Sequence, residues 1–170
     1  YLLKYGHLNF TLLEDKEYID YNVADFIFSE LDADQLTFVY PDYRTIYEEY
    51  RTESDRLGIG VEVATHRFVN HSNPDVSRIV VDLLTSDDNY VISRIWEQKE
   101  VHIESAEEQL SEGVPKAMMV YKWRTLDKRI TELKARLASG TEEDESAVMA
   151  TLAKYHAVRV KIARTAGRLI

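Results

Sequence analysis

Apolar residues in the last third of the chain recur at Met119, Trp123, Leu126, Ile130, Leu133 and Leu137, with spacings of 4, 3, 4, 3 and 4. That rhythm is the a/d period of a coiled-coil seam and predicts one long helix. After a break at Ala138-Ser139-Gly140-Thr141, Val148, Leu152, Tyr155, Ile162, Ala166 and Leu169 resume it, with Arg159 in one seam position. So short a break predicts an antiparallel return. Limbs of about 24 residues at ~1.5 Å each give an arm of about 36 Å. Val120, Tyr121, Val158 and Val160 fall outside the seam, which predicts an apolar surface awaiting a partner.

Shorter periods precede this arm. Residues 1–5 read as the end of a helix stopped by Gly6, and residues 7–20 as a connection with some extended character near Phe10 to Leu13. Asn22 is a good N-cap for a helix with Val23, Phe26, Ile27 and Leu31 on one face. Pro41 suits the first turn of the next helix, which presents Tyr43, Ile46, Tyr47, Tyr50 and Leu57 and ends at Gly58 and Gly60. A short helix follows over residues 61–69. Asn73-Pro74 then opens another, carrying Val76, Ile79, Val80, Leu83 and Leu84. Its β-branched residues could argue for a strand, but period and capping favour helix. Val91 to Trp96 is a further apolar segment, residues 105–110 read as a short helix, and Pro115 at the first helical position opens the arm. The predicted core comprises Val23, Phe26, Ile27, Leu31, Ile46, Tyr47, Tyr50, Phe68, Ile79, Val80, Leu83 and Trp96. The predicted class is therefore all-α: a bundle of short helices over 1–112, then a long antiparallel helical hairpin over 113–170.

Charge divides the chain at the same place. Residues 113–170 hold 12 Lys+Arg against 6 Asp+Glu, and residues 1–112 hold 9 against 24. An acidic body with a basic arm points to partner binding, although charged helix faces also serve solubility alone. The 170 residues contain no cysteine, which removes disulfides and thiolate zinc sites and fits a reducing, cytoplasmic setting. No apolar run approaches the ~20 residues that cross a bilayer. The chain opens at Tyr-Leu-Leu-Lys rather than at Met with a basic leader, which predicts a fragment of a longer protein.

Candidate chemistry is sparse. Asp32-Ala-Asp34 begins like a calcium loop, but the sixth position is Thr37 and the twelfth Tyr43, where the loop needs Gly and a bidentate Glu. His66 and His71 are five apart, off the spacing that puts two ligands on one helix face. No phosphate-binding glycine loop and no nucleophile elbow is present. The carboxylates run in solvent-facing groups such as Glu48-Glu49, Asp87-Asp88 and Glu107-Glu108. The expectation is that these residues are non-catalytic and hold neither metal nor cofactor. Tyr40, Tyr43, Tyr47 and Tyr50 could stack on bases, yet they lie among Asp42, Glu48 and Glu49, which repel phosphate.

The segments Val23-Ala-Asp-Phe-Ile-Phe-Ser-Glu-Leu31, Asp34-Gln-Leu-Thr-Phe38 and Pro41-Asp-Tyr43, continuing to Ile46 and Glu49-Tyr50, resemble the C-terminal domain of bacterial replicative DNA primases of the DnaG type, the Bacteroidetes versions most of all. Downstream, Ile95-Trp96, Ile103-Glu104, Glu107-Glu108 and Leu110 are similar to the family's stretch before its long helix. The ending Ala163-Arg-Thr-Ala-Gly167-Arg168-Leu-Ile170 is similar to the closing signature of that family, with Ala166 in place of the usual Leu. Each motif is diffuse; their order and spacing over nearly the whole chain carry the likeness.

The resemblance implies a helicase-interaction module. Such a domain docks primase onto the N-terminal collar of the hexameric DnaB-type helicase during DNA replication, and primer synthesis belongs to domains upstream. It places the contact at the closing residues, so the candidate partner-binding set is Tyr155, Arg159, Ile162, Arg164, Arg168, Leu169 and Ile170. Ile162 and Leu169 also serve the hairpin seam in this reading. Membrane binding is not expected and direct nucleic-acid binding is expected to be weak. A homodimer through the hairpin in a crystal is compatible with its exposed apolar faces. The alternative is a nucleic-acid-binding helical appendage that uses the basic arm.

Overall fold

A computed structural model describes residues 1–85, 106–140 and 145–166 of the chain. They form two compact units, residues 1–111 and 112–170. The first unit opens with α1 (Leu2–Tyr5), β1 (Asn9–Glu14) and β2 (Glu17–Asn22), and continues through α2 (Val23–Ala33), α3 (Pro41–Leu57), α4 (His66–Val69) and α5 (Pro74–Thr85). The long helix α6 (Ala106–Ser139) runs through the boundary, and α7 (Glu145–Ala166) follows.

The class is mostly helical, but it is not all-α. Residues read as a connection form a two-stranded antiparallel sheet in which Phe10 pairs with Tyr21, Leu12 with Ile19 and Glu14 with Glu17. Its turn is Asp15-Lys16, at φ 47° and 75°. Two positive φ values in a two-residue loop match the twist of an antiparallel pair, and Asn-Gly is the usual solution. Asp-Lys is a faint signal for the same turn, which is why the sheet is hard to see in the residues. Gly6 also differs from expectation: it is right-handed, with φ −57°.

Aromatic packing ties the sheet to the helices. Phe10 is fully buried, 5.3 Å from Phe26 in an edge-on contact, and Tyr21 lies 5.4 Å from the same ring. Asn22 ends the strand and begins the helix. Its Oδ1 accepts from the amides of Ala24 and Asp25, while its Nδ2 donates to the Leu8 carbonyl at 3.1 Å. Val23, Ile27, Phe28 and Leu31 of α2 are buried, as are Ile46, Tyr47 and Tyr50 of α3. Phe28 meets Tyr47 edge-on at 5.7 Å, and Tyr50 stacks on Phe68 at 6.3 Å.

Arg51 clamps the outside of this core. It donates two hydrogen bonds to the Asp32 carboxylate at 2.6 and 2.7 Å, donates to the Tyr47 hydroxyl and lies 5.3 Å from the Phe28 ring. These bonds hold the Asp32 carboxyl below the usual carboxylate range. Asn73 caps α5 by accepting from the Asp75 amide, and Ser77 donates to the Val69 carbonyl to join α5 to α4. Val76 and Val80 are the buried face of α5, whereas Leu83 is 41% exposed and Ile79 half-buried. Phe26 is also half-buried, and Val63 joins the core unannounced. The expected core residue Trp96, with the segment from Val91, lies outside the described residues.

The expected helical hairpin needs correcting too. Pro115 does not open the arm; it lies inside α6, which starts at Ala106. A proline there removes a backbone bond and costs about 3 kcal/mol. Continuing the helix puts Leu110, Val114 and Met118, all buried, on one face. Burial of such side chains contributes roughly 1.5–3 kcal/mol each, enough to offset that cost. The return at 141–144 lies outside the described residues. The a/d seam is largely uncovered: Ile130 and Leu152 are buried, but Met119, Leu126, Leu133, Leu137 and Val148 are half-buried and Trp123 is 40% exposed. A pair of helices seats each seam residue in a hole of four residues on the one facing helix and leaves its outer flank in water.

Candidate partner-binding surface

Helix α7 is built from alanines and long side chains that favour helix, and its residues 146–166 contain Lys154, Arg159, Lys161 and Arg164 with no Asp or Glu. Arg159 bridges to α6, donating to Asp127 at 3.0 Å with both side chains partly exposed. This gives the charged seam position a structural purpose: a cation there is tolerated because an anion meets it. Among the expected contact residues, Tyr155 and Ile162 are half-buried and Arg164 is exposed. Arg168, Leu169 and Ile170 lie outside the described residues. The expected cluster is therefore split between residues engaged within the unit and one exposed cation.

The exposed apolar side chains in this unit are more telling. Val120, Trp123, Val158 and Val160 are between 40 and 48% exposed, and Met149 reaches 62%. Val120, Val158 and Val160 were legible as residues outside the seam. Trp123 was not, because its period assigns it to the interior, and Met149 carries no periodic signal at all. Tyr121 is half-buried. Val120 and Trp123 are three residues apart and share one face of α6, next to Arg124. A half-open tryptophan bordered by cations is a combination that protein interfaces use as an anchor.

Among the described residues, the first unit holds little that resembles a reaction centre. A cavity of about 140 Å³ is lined by Asn22, Asp25, Phe28, Ser54, Asp55, Gly58 and Ile59. Small-molecule sites typically span about 300–1,000 Å³, and here the side-chain Oδ1 of Asn22 is already committed to capping α2. Burial and the nearby Glu62 charge push the Tyr50 hydroxyl up to about 12. That shift disfavours the phenolate and marks a core residue. His71 donates from Nε2 to Glu49 at 3.1 Å while its Nδ1 accepts from the Asn73 amide, so the ring supports the cap of α5. Among the described residues no three His, Asp or Glu side chains converge to hold a metal ion, and no helix is long and apolar enough to cross a membrane.

Fold and surface together define a mostly helical protein of two units, the second basic and partly apolar at its surface. The chain belongs to the family described as a domain of unknown function (DUF8430), which matches residues 1–169. No curated protein and no solved structure matches it.

Proposed function

We propose that this chain is a protein-interaction module: the helicase-docking domain of a bacterial replicative primase, seated on the N-terminal collar of a DnaB-type helicase. The observation that carries the reading is the exposed apolar pair Val120 and Trp123 within a segment of 12 cations and 6 anions. The ordered resemblance along residues 23–50, 95–110 and 163–170 supports the same reading. Physically, Trp123 and Val120 fill an apolar depression on the partner while Arg124 and Arg164 meet carboxylates at its rim. A few such residues usually dominate an interface, each worth ~2 kcal/mol or more. In this reading the module tethers primase at the fork and contributes no chemistry of its own.

Calorimetric titration of the chain against the N-terminal domain of the same organism's replicative helicase tests this. The wild-type chain binds, and Val120→Ser with Arg164→Ala weakens binding at least about tenfold, ~1.4 kcal/mol, with an unchanged melting temperature. No heat with the wild-type chain refutes the helicase reading. Tight DNA binding with a steep dependence on salt would favour a nucleic-acid appendage instead.

A further inference from the structure

Strand β2 has one bonded edge and one open edge, and the register fixes which groups face each way. The Val23 amide donates to the Leu8 carbonyl at 3.0 Å, so that pair is hydrogen-bonded. The alternation of an antiparallel ladder then makes Phe10–Tyr21, Leu12–Ile19 and Glu14–Glu17 the bonded pairs. The amides and carbonyls of Tyr18 and Asp20 therefore point away from β1, and among the described residues no backbone hydrogen bond reaches them. Glu17, Tyr18, Ile19 and Asp20 are all exposed, whereas on β1 Phe10 is buried and Thr11 and Leu12 are half-buried. Side chains along β2 alternate between two faces. Tyr18, 79% exposed, and Asp20 share one face with Leu13 and Thr11, while Glu17 and Ile19 share the other with Glu14 and Leu12. Each face thus brings one apolar side chain and one carboxylate to the open edge. Glu14 stands directly opposite Glu17, a like-charge pair that destabilises the hairpin and that a neighbouring cation relieves.

We infer that the open edge of β2 takes an extended, basic segment of a protein partner as a third, antiparallel strand. Main-chain bonds to both backbone groups of Tyr18 and of Asp20 give the affinity, and the alternating side chains give the selectivity. Opposite Asp20, Ile19, Tyr18 and Glu17, in that order, the fitting residues are a cation, an aliphatic residue, an aromatic residue and a second cation. The two cations fall three residues apart and so lie on opposite faces of the sheet, where one meets Asp20 and the other Glu17. A second copy of β2 is a poor occupant. Residues 13–20 carry Glu14, Asp15, Glu17 and Asp20 against the single cation Lys16, and charges on an edge strand turn away a strand of the same sign. The contact uses none of Val120, Trp123, Arg124 or Arg164, so it stands independently of the docking reading above.

The probe is a synthetic peptide with blocked ends and Lys-Val-Tyr-Lys at its centre, titrated into the full chain and followed by amide NMR shifts and hydrogen exchange. The Tyr18 and Asp20 amides shift and gain protection, while those of Glu17, Ile19 and Tyr21, already bonded to β1, keep theirs. Methylating the backbone nitrogens of the first Lys and the Tyr keeps the charge but removes the donors that face β2, and it weakens binding at least about tenfold. Glu17→Lys weakens binding of the original peptide without lowering the melting temperature, because the repulsion from Glu14 is gone. A peptide with Glu in place of the last Lys restores binding to that variant. The inference is overturned by no binding up to about 1 mM peptide, by equal binding of the methylated peptide, or by binding that leaves the Tyr18 and Asp20 amides unmoved. Protection of those two amides in the chain alone that disappears on dilution assigns the edge to a second copy and overturns it equally.

Discussion

The hydroxyl of Tyr50 lies against Gly6, and a Cβ built on that glycine would overlap the hydroxyl oxygen and sit 2.9 Å from Tyr50 Cζ and 2.6 Å from the Leu2 carbonyl oxygen. Gly6 has an ordinary right-handed φ, so the requirement is for space and not for backbone freedom. The tyrosine is 2% exposed, and its ring joins α3 to Phe28 of α2 and Phe68 of α4. One missing methyl group thus lets the N-terminal turn close over the centre of the helical core.

Gly6→Ala is expected to destabilise the first unit by about 1–3 kcal/mol, the usual range for overpacking. Urea denaturation followed by circular dichroism measures it. Adding Tyr50→Phe removes the nearest clashing atom and recovers part of the loss. Equal stabilities for wild type and Gly6→Ala would show that the turn moves away freely.

Tyr50 also sets a pH dependence. Its folded-state value, raised to about 12, exceeds the ordinary tyrosine value of about 10, so the unfolded chain releases this proton first as pH rises. Stability from this group is therefore intact below about pH 9, falls as pH rises through 10, and is lost by about 12, by roughly 2–3 kcal/mol. Denaturation midpoints taken from pH 8 to 11.5 should decline, with a shallower decline in Tyr50→Phe. An identical decline in both proteins would assign the effect to the other tyrosines whose hydroxyls are pushed up, Tyr21 and Tyr47.

The turn Asp15-Lys16 holds two non-glycine residues at positive φ. Left-handed backbone costs an ordinary side chain about 1 kcal/mol or more, whereas Asn-Gly adopts it readily. Asp15→Asn with Lys16→Gly should raise stability by roughly 0.5–1 kcal/mol and leave the register of Phe10 on Tyr21 unchanged. Cross-strand nuclear Overhauser contacts report the register, and a shifted pairing would contradict the turn assignment.

Burial ranks two leucines that periodicity treats alike. Leu31 is 1% exposed and Leu83 is 41% exposed. Leu31→Ala should cost about 2–5 kcal/mol, and Leu83→Ala less than half as much. Chemical denaturation of the two variants decides it; equal losses would mean that Leu83 is covered.

How much of this is written locally can be judged residue by residue. Asn22 announces α2, because its capping side chain and the apolar face beginning at Val23 are short-range features. Pro41 announces α3 in the same way, and the choice of helix for Pro74–Thr85 follows from period and cap. The hairpin was hidden, since six-residue strands and an Asp-Lys turn give little periodic signal. Local chemistry also misled at Pro115, where the N1 preference of proline lost to the burial of Leu110, Val114 and Met118 along one continuous helix.

For the candidate surface, composition alone revealed the basic segment, and spacing alone revealed that Val120, Val158 and Val160 lack a place in the seam. Periodicity fixes only the direction in which a side chain leaves its helix; whether anything stands in that direction depends on residues far along the chain. Trp123 points along the seam and remains 40% exposed, and Arg159 occupies the seam because Asp127 receives it. Tertiary structure decided both cases, because coverage and ion pairing are relations between segments that one-dimensional spacing does not contain.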